Sequence, residues 1–416
     1  MERRRQAMGP AYRLFYDSPV HLVRGEGAWL YDADGRRYLD MYNNVPHVGH
    51  CHPRVVEAIC DQARMLNTHT RYLHENAVTL AERLSATMPA ALDTAMFCCT
   101  GSEANELALR IAKRATGGTG IVVVDYAYHG HTQAIYEIST DTIPASEIPP
   151  WVATTPAPDT YRGPFRGDDA AEKYADGVAA AIDELQARGI RPAAFFIDTI
   201  ISSSGVVAPP AGYLRRVAEI VRDAGMLFIA DEVQPGFGRT GEHFWGFEAD
   251  GVTPDIVTMG KPMGNGHPLS AVVARREVVD AFARHGRYFN TFAGNPVSCA
   301  AGLAVLDVIE TEGLQRNALQ VGQHLVDGLW RLAEDHDCIG DVRGTGLFLA
   351  VELVTDREVR TPATDLAATV VNGLRERGVL TGSIGPADNI LKLRSPLVLS
   401  KDDADYFLDT LEEVLP

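Results

Sequence analysis

The 416-residue sequence predicts an α/β protein built on a largely parallel sheet. Three observations carry that expectation. Between about residues 90 and 275, short apolar runs alternate with segments of helical periodicity. The runs at 193–198 and 226–231 each end on an aspartate, Asp198 and Asp231, and the run at 256–259 is followed by Lys261. Those three residues are separated by 33 and 30 positions, the length of a strand–helix–strand step.

Each element follows in chain order. Near the N-terminus, Asp34-Gly35 is a turn signal between hairpin strands at 29–32 and 37–40. Residues 95–99 form the first strand of the central sheet. Residues 103–115 form a helix, with Leu107, Ala108, Ile111, Ala112 and Ala115 on one face. A strand at 121–126 follows. Residues 139–166, rich in Pro, Thr and Asp, are too long for a plain connector and read as a binding or interface loop. The strand at 193–198 leads to a helix at 212–224 with Leu214, Val217, Ala218 and Val221 on its face. Strands at 226–231 and 256–259 complete the alternation. After Gly302 a long helix at 303–311 leaves the large domain, and the remainder alternates helix and strand. The expected organisation is an N-terminal segment (1–55) joining a small domain, a large domain (56–301) and a small α+β C-terminal domain (302–416).

Composition narrows the function classes. Apolar residues make up 46% and charged residues 22%, which excludes disorder, collagen and coiled coil for the whole chain. Asp and Glu number 55 against 38 Lys and Arg, a net charge of −17. That balance argues against a nucleic-acid surface. Six cysteines in a chain this long do not form a disulfide framework, and the adjacent Cys98 and Cys99 read as buried thiols. No apolar run approaches the roughly 20 residues of a membrane span, and the basic start at Met1–Arg5 has no apolar region behind it. A soluble cytoplasmic protein with no membrane partner is expected.

Only five of the cations are lysines: Lys113, Lys173, Lys261, Lys392 and Lys401. A lysine amine can lose its proton and attack a carbonyl; a guanidinium effectively cannot. Lys261 sits between glycines in an uncharged stretch, the setting that lowers an ammonium pKa and suits a Schiff-base lysine. Asp198 and Asp231 end strands on what should be the ligand-binding edge of the sheet. Either alone would more often be a turn or helix-cap residue; convergence with Lys261 favours a site. Thr100-Gly101-Ser102-Glu103 follows a strand and opens a helix with a capping-box pattern. That helix N-terminus suits a phosphate, although a plain capped helix gives the same signature. A phosphate site, an imine-forming lysine and a strand-end carboxylate are together what pyridoxal phosphate requires.

With those residues in view, the chain resembles the class III aminotransferase family of fold type I pyridoxal-phosphate enzymes. The resemblance rests on Thr100-Gly101-Ser102-Glu103-Ala104-Asn105-Glu106, Tyr128-His129-Gly130, Asp231-Glu232-Val233-Gln234 with Gly236-Phe237-Gly238-Arg239, Gly260-Lys261-Pro262, and Thr291-Phe292 with Gly294-Asn295-Pro296. It implies a large domain with a mostly parallel seven-stranded sheet, and a small α+β domain drawn from both chain ends. It implies that Gly101 and Ser102 hold the cofactor phosphate and that Tyr128, beside His129, stacks on the ring. Val233 would pack the opposite face, Gln234 would reach the ring hydroxyl and Asp231 would hold the ring nitrogen. Lys261 would be the catalytic lysine. Thr291 would contact the phosphate in the partner subunit of a homodimer. Asp198-Thr199 departs from the Glu-Pro common in the family, which leaves the role of Asp198 open.

Family alone does not fix the substrate. The segments 43–53 and 259–268 resemble phospho-lyases acting on ethanolamine phosphate and phosphohydroxylysine. Where family aminotransferases often carry one Arg for a substrate carboxylate, this chain has Lys392 and Arg394. Two residues apart on a strand, they share a face, and two cations suit a phosphate dianion. Alternatively Arg394 faces solvent or pairs with Asp402 or Asp403. Tyr42, Asn44 and Arg71 are further substrate-side candidates. The run His47, His50, Cys51, His52 has no second ligand cluster, so no metal is assigned. The expected activity is elimination of phosphate from a phosphorylated primary amine; the alternative is amino transfer to a keto acid. A binding module without chemistry is the non-enzymatic alternative.

Overall fold

The computed structural model describes all 416 residues. Three sheets organise it. At the N-terminus, β1 (Leu22–Glu26), β2 (Trp29–Asp32) and β3 (Arg37–Asp40) form an antiparallel ribbon. The central sheet holds β4 (Thr94–Cys98), β5 (Gly120–Val124), β6 (Val152–Thr155), β7 (Pro192–Asp198), β8 (Leu227–Asp231), β9 (Ile256–Met259) and β10 (Ser270–Ala274). Their order is β4-β10-β9-β8-β7-β5-β6, the seven-stranded sheet that the family resemblance implies. From β6 through β9, neighbouring strands are parallel. β10 runs antiparallel to both β9 and β4. Only residues 260–269 join β9 to β10, too few for a crossover helix, so the chain must double back.

Every residue of β5, β7, β9 and β10 is buried. Helices cover the sheet on both faces, so these strands are continuous apolar runs without alternation. The helix Gly101–Thr116 packs against β9 and β10 on one face, and the helices Ala170–Ala187 and Tyr213–Asp223 pack together on the other. The third sheet contains β11 (Ile339–Thr345), β12 (Phe348–Asp356), β15 (Gly382–Ile384) and β16 (Ile390–Leu393), with the short β13 (Thr361–Pro362) on β12. Between them, β14 (Val379–Leu380) leaves to pair in parallel with β3, tying the C-terminal region to the N-terminal ribbon.

Two sequence expectations need correction. The segment 139–166 is not a structureless loop. It contains a 3-10 turn at Ala145–Glu147 and the edge strand β6. The strand Val-Ala-Thr-Thr was missed because it is four residues long and flanked by prolines. The helix expected at 303–311 begins earlier, at Pro296. Asn295 caps it, its side chain accepting from the Ser298 amide at 2.9 Å, and Pro296 occupies the first turn, where a missing N–H costs nothing.

Candidate active site

The site grows out of strand register. β7 and β8 pair so that Asp198 lies opposite Asp231. β8 and β9 pair Asp231 with Thr258, and the chain reaches Lys261 two residues after β9 ends. All three residues therefore stand at the carboxyl edge of adjacent parallel strands. Beside them, β4 ends and the helix Gly101–Thr116 begins. Thr100 and Glu103 form the expected capping box: the Glu103 amide donates to Thr100 Oγ1 at 3.1 Å, and the Thr100 amide to Glu103 Oε2 at 3.1 Å. The amides of Gly101 and Ser102 have no partner within the helix and point toward its N-terminus.

Between this helix end and the strand edge lies a cavity of about 210 Å³, reached by Gly101, Ser102, His129, Asp198, Asp231 and Lys261. Asp231 is buried and held on three sides. Its Oδ2 accepts from Asn105 Nδ2 at 2.9 Å and meets His129 Nδ1 at 2.8 Å; its Oδ1 accepts from the Val233 amide at 3.1 Å. His129 in turn packs against Phe196, with ring centroids 4.7 Å apart. Lys261 takes a positive φ of 21° after Gly260, a conformation seen mainly where function demands it. A side chain at position 260 would come within 3.3 Å of the Gly101 backbone. Burial, reinforced by Arg394, pushes the Lys261 ammonium down to about 8 against the pull of Asp231 and Asp198.

Pyridoxal phosphate fits these residues. Gly130 must lack a side chain, since a Cβ there would stand 2.4 Å from Ser102 Oγ, which itself accepts from the His131 amide at 3.2 Å. Gly101 lets the helix end approach Val233, whose methyls lie 3.2 Å from where a Cβ would be. The phosphate would take the helix end, the ring nitrogen Asp231 and the aldehyde Lys261. Tyr128, 37% exposed, borders both this cavity and the next.

The adjoining cavity, about 310 Å³, shares Tyr128, Gln234 and Lys261 and adds Tyr42, Lys392 and Arg394. Lys392 of β16 and Arg394, one residue past the strand's end rather than on it as the sequence suggests, are both buried in it. Lys392 Nζ donates to the Ser202 carbonyl at 3.4 Å, and burial next to Arg394 holds its ammonium well below the ordinary value. Arg394 neither faces solvent nor meets Asp402 or Asp403. Its Nε donates to the Tyr42 carbonyl at 3.0 Å, its Nη1 donates to Gln234 Oε1, and its guanidinium lies 4.6 Å over the Tyr42 ring. Asp403 is used elsewhere, accepting from Trp29 Nε1 and, in the capping box of the last helix, from the Ser400 amide at 3.0 Å.

Gln234 is thus engaged on both sides, because its Nε2 donates to Ser202 Oγ. Ser202 Oγ donates to Asp198 Oδ2 at 2.5 Å, so a hydrogen-bonded chain runs from Arg394 through Gln234 and Ser202 to Asp198. Asp198 also accepts from the amides of Ile200 and Ser202 at 3.1 and 3.0 Å. The neighbouring Thr199 has a use that proline could not supply. Its hydroxyl donates at 2.8 Å to Glu232, which also accepts the Gly246 and Phe247 amides at 2.8 and 3.0 Å. Burial pushes the Glu232 carboxyl up to about 8.

Three expected residues are not brought to the cavities within one chain. Thr291 is exposed. Arg71 is exposed and stacks 3.9 Å from the Phe289 ring centroid. Asn44 is buried without lining either cavity, its Nδ2 unpartnered. The histidine run disperses: His47 meets Arg239 and the Phe237 carbonyl, His50 meets Asp40, and His52 meets Glu312. Sequence reasoning missed the roles of Asn105 and Ser202. Asn105 stands in the motif 100–106, one helical turn beyond Gly101; Ser202 carries no local signal.

The fold and the site define a class: enzymes that hold pyridoxal phosphate on a lysine at the edge of a seven-stranded, mostly parallel sheet. Comparison with known proteins agrees. The family model "Aminotransferase class-III" matches residues 15–415. The chain is 45% identical over 423 residues to "Alanine--glyoxylate aminotransferase 2-like" of Drosophila melanogaster, covering 99% of this chain and 86% of that protein. It is 40% identical to "Ethanolamine-phosphate phospho-lyase homolog 1" of Caenorhabditis elegans, covering 100% of this chain and 92% of the relative. A solved phospholyase from Arthrobacter, in complex with phosphoethanolamine, superposes with a TM-score of 0.95 at 45% identity, covering 100% of this chain and 99% of that one. The chain belongs to the class III aminotransferase family.

Proposed function

We propose that the chain is a phospho-lyase that eliminates phosphate from a phosphorylated primary amine of the ethanolamine-phosphate type, yielding an aldehyde, ammonia and inorganic phosphate. The observation that carries this is the pair of buried cations, Lys392 near the end of β16 and Arg394 just past it, lining the cavity that also reaches Lys261. Burying two like charges side by side is costly unless a dianion arrives to neutralise them. A carboxylate would leave one unmatched. The nematode relative and the Arthrobacter structure, by their names, support the same substrate class.

When bound, pyridoxal phosphate supplies a carbonyl for the amine and a protonated ring that withdraws electrons from the neighbouring carbon. Asp231, fixed by Asn105 and His129, would hold the ring nitrogen. Lys261 Nζ, its basicity lowered by burial, takes the proton from the substrate carbon that bears the amine. Lys392 and Arg394 would hold the phosphate that leaves from the next carbon.

The deciding experiment incubates the cofactor-loaded protein with ethanolamine phosphate and no keto acid. Equal release of phosphate and ammonia is expected. Amino transfer to pyruvate without phosphate release would replace this reading with aminotransfer, which family membership favours. The reading includes a homodimer: Tyr72, Leu73, Phe289 and Phe292 are 66%, 101%, 41% and 72% exposed around Thr291, and an apolar surface of that kind calls for a partner.

A further inference from the structure

We propose that Asp141 is the acid that protonates the departing phosphate; this rests on the phospho-lyase reading above. The chemistry demands such a group. When the carbon–oxygen bond of a dianionic monoester breaks, its electron pair goes to oxygen and the leaving species would be the trianion. One proton on that oxygen turns it into hydrogen phosphate, a far better leaving group. Lys261, as the base that takes the carbon-bound proton, occupies the other half of the reaction. The elimination therefore needs one proton acceptor and one proton donor in the same cavity, the arrangement met by groups of suitably matched pKa.

The cavity offers few donors. Arg394 does not release a proton. The phenols of Tyr126 and Tyr128 are pushed upward by burial and are poorer acids still. Lys392, although burial makes its ammonium a readier acid, would by giving up its proton lose one of the two charges that hold the dianion. Asp388, the other carboxyl on this cavity, is exposed to solvent. Asp141 lies on the same cavity wall as Lys261, Lys392 and Arg394. Its backbone is fixed, the amide donating to the Ala127 carbonyl at 3.1 Å. Its Oδ1 is buried and has no hydrogen-bond partner in the protein. A bare carboxylate oxygen buried beside a phosphate pocket is unfavourable twice over, through desolvation and through repulsion of the ligand. A proton on that oxygen removes both costs, and the phosphate can accept the hydrogen bond.

The electrostatics agree. Burial pushes the Asp141 carboxyl up to about 6, against the downward pull of His129, its own amide, Lys392 and the neighbouring Thr142. As the carbon–oxygen bond breaks, the departing oxygen becomes far more basic than a carboxylate, so the proton passes downhill from Asp141 to it. After turnover, Asp141 regains its proton from solvent through the open mouth of the cavity.

The test uses the cofactor-loaded protein and the variants Asp141→Asn and Asp141→Glu. Asparagine keeps the shape and can hydrogen-bond a phosphate but cannot transfer a proton. Asp141→Asn should lower kcat for phosphate release from ethanolamine phosphate by about 100-fold, while calorimetry finds inorganic phosphate bound within about threefold of wild type. In wild type the rate should fall as pH rises past the acid's value. That limb should vanish in Asp141→Asn and return, with partial activity, in Asp141→Glu. Retention of kcat within about threefold by Asp141→Asn, or a parallel loss of phosphate binding and turnover, overturns the assignment. Wild-type protein that releases no phosphate from ethanolamine phosphate sinks the phospho-lyase reading itself, and this proposal with it.

Discussion

A lysine of ordinary basicity is almost wholly protonated near neutrality and cannot attack a carbonyl. Lys261 differs because its ammonium is desolvated and faces Arg394, which brings it down to about 8 although Asp231 and Asp198 pull it upward. The unprotonated amine therefore appears above about pH 8 rather than two units higher. Covalent capture of added pyridoxal phosphate by cofactor-free protein, read as mass gained after borohydride reduction, should rise with pH and reach its half-point near that value. Lys261→Arg should lose the mass gain on the peptide that carries residue 261 at every pH. Capture that is flat between pH 6 and 10 would remove the proposed role of burial.

The elements place these residues through backbone contacts that only glycine permits. The helix Leu314–Asp335 crosses the turn between β11 and β12 at Gly322, where a Cβ would stand 2.1 Å from the Gly346 carbonyl oxygen. Gly346 itself has a positive φ of 55° and would bring a Cβ within 2.3 Å of the Arg239 carbonyl. This stack of backbone on backbone connects the sheet that carries Lys392 and Arg394 to the loop after β8. Gly322→Ala should destabilise the fold by about 1–3 kcal/mol through overpacking. The denaturant midpoint should fall, and the apparent KM for the phosphorylated amine should rise as β16 shifts. An unchanged midpoint would mean that the helix moves aside without strain.

Across the molecule, Arg239 joins regions distant in sequence. It is fully buried; its Nη1 donates to the carbonyls of Leu347 and Ser395, each at 2.8 Å, and its Nη2 meets His47 Nδ1 at 3.0 Å. The N-terminal segment, the edge of the large sheet and the C-terminal sheet thus meet on one side chain. Burial, with Arg394 nearby, pushes the guanidinium down to about 9. Arg239→Leu removes the charge but strands two carbonyls, at about 1–3 kcal/mol each. Thermal unfolding should move to lower temperature, and limited proteolysis should open the segment before β4. The same scale governs assembly. Leu73→Asp puts a charge in the exposed apolar cluster beside Thr291. Light scattering should find wild type at twice the chain mass and this variant shifted toward the monomer, with activity lost in parallel. A monomeric wild type would refute the dimer.

The sequence by itself determined the class of fold and the cofactor half of the site. Asp198, Asp231 and Lys261 were legible because parallel strands place their last residues along one edge, so spacing alone converts to proximity. The helix that opens at Gly101 was legible because capping is a local interaction among residues 100–103. What lay beyond was decided by long-range packing. Arg394 could have met solvent or a nearby aspartate; the placement of β16 against β12 and β15 aims it at Gln234 and Tyr42 instead. Asp141 lies in a segment of mixed polar composition and has no motif. Its meaning depends on Lys392, 251 positions away in sequence, being carried to the same cavity. Desolvation, which sets the charge state of Lys261, Glu232, Lys392 and Asp141, is a property of the surrounding volume. No local pattern of residues encodes it, and only the tertiary structure decides it.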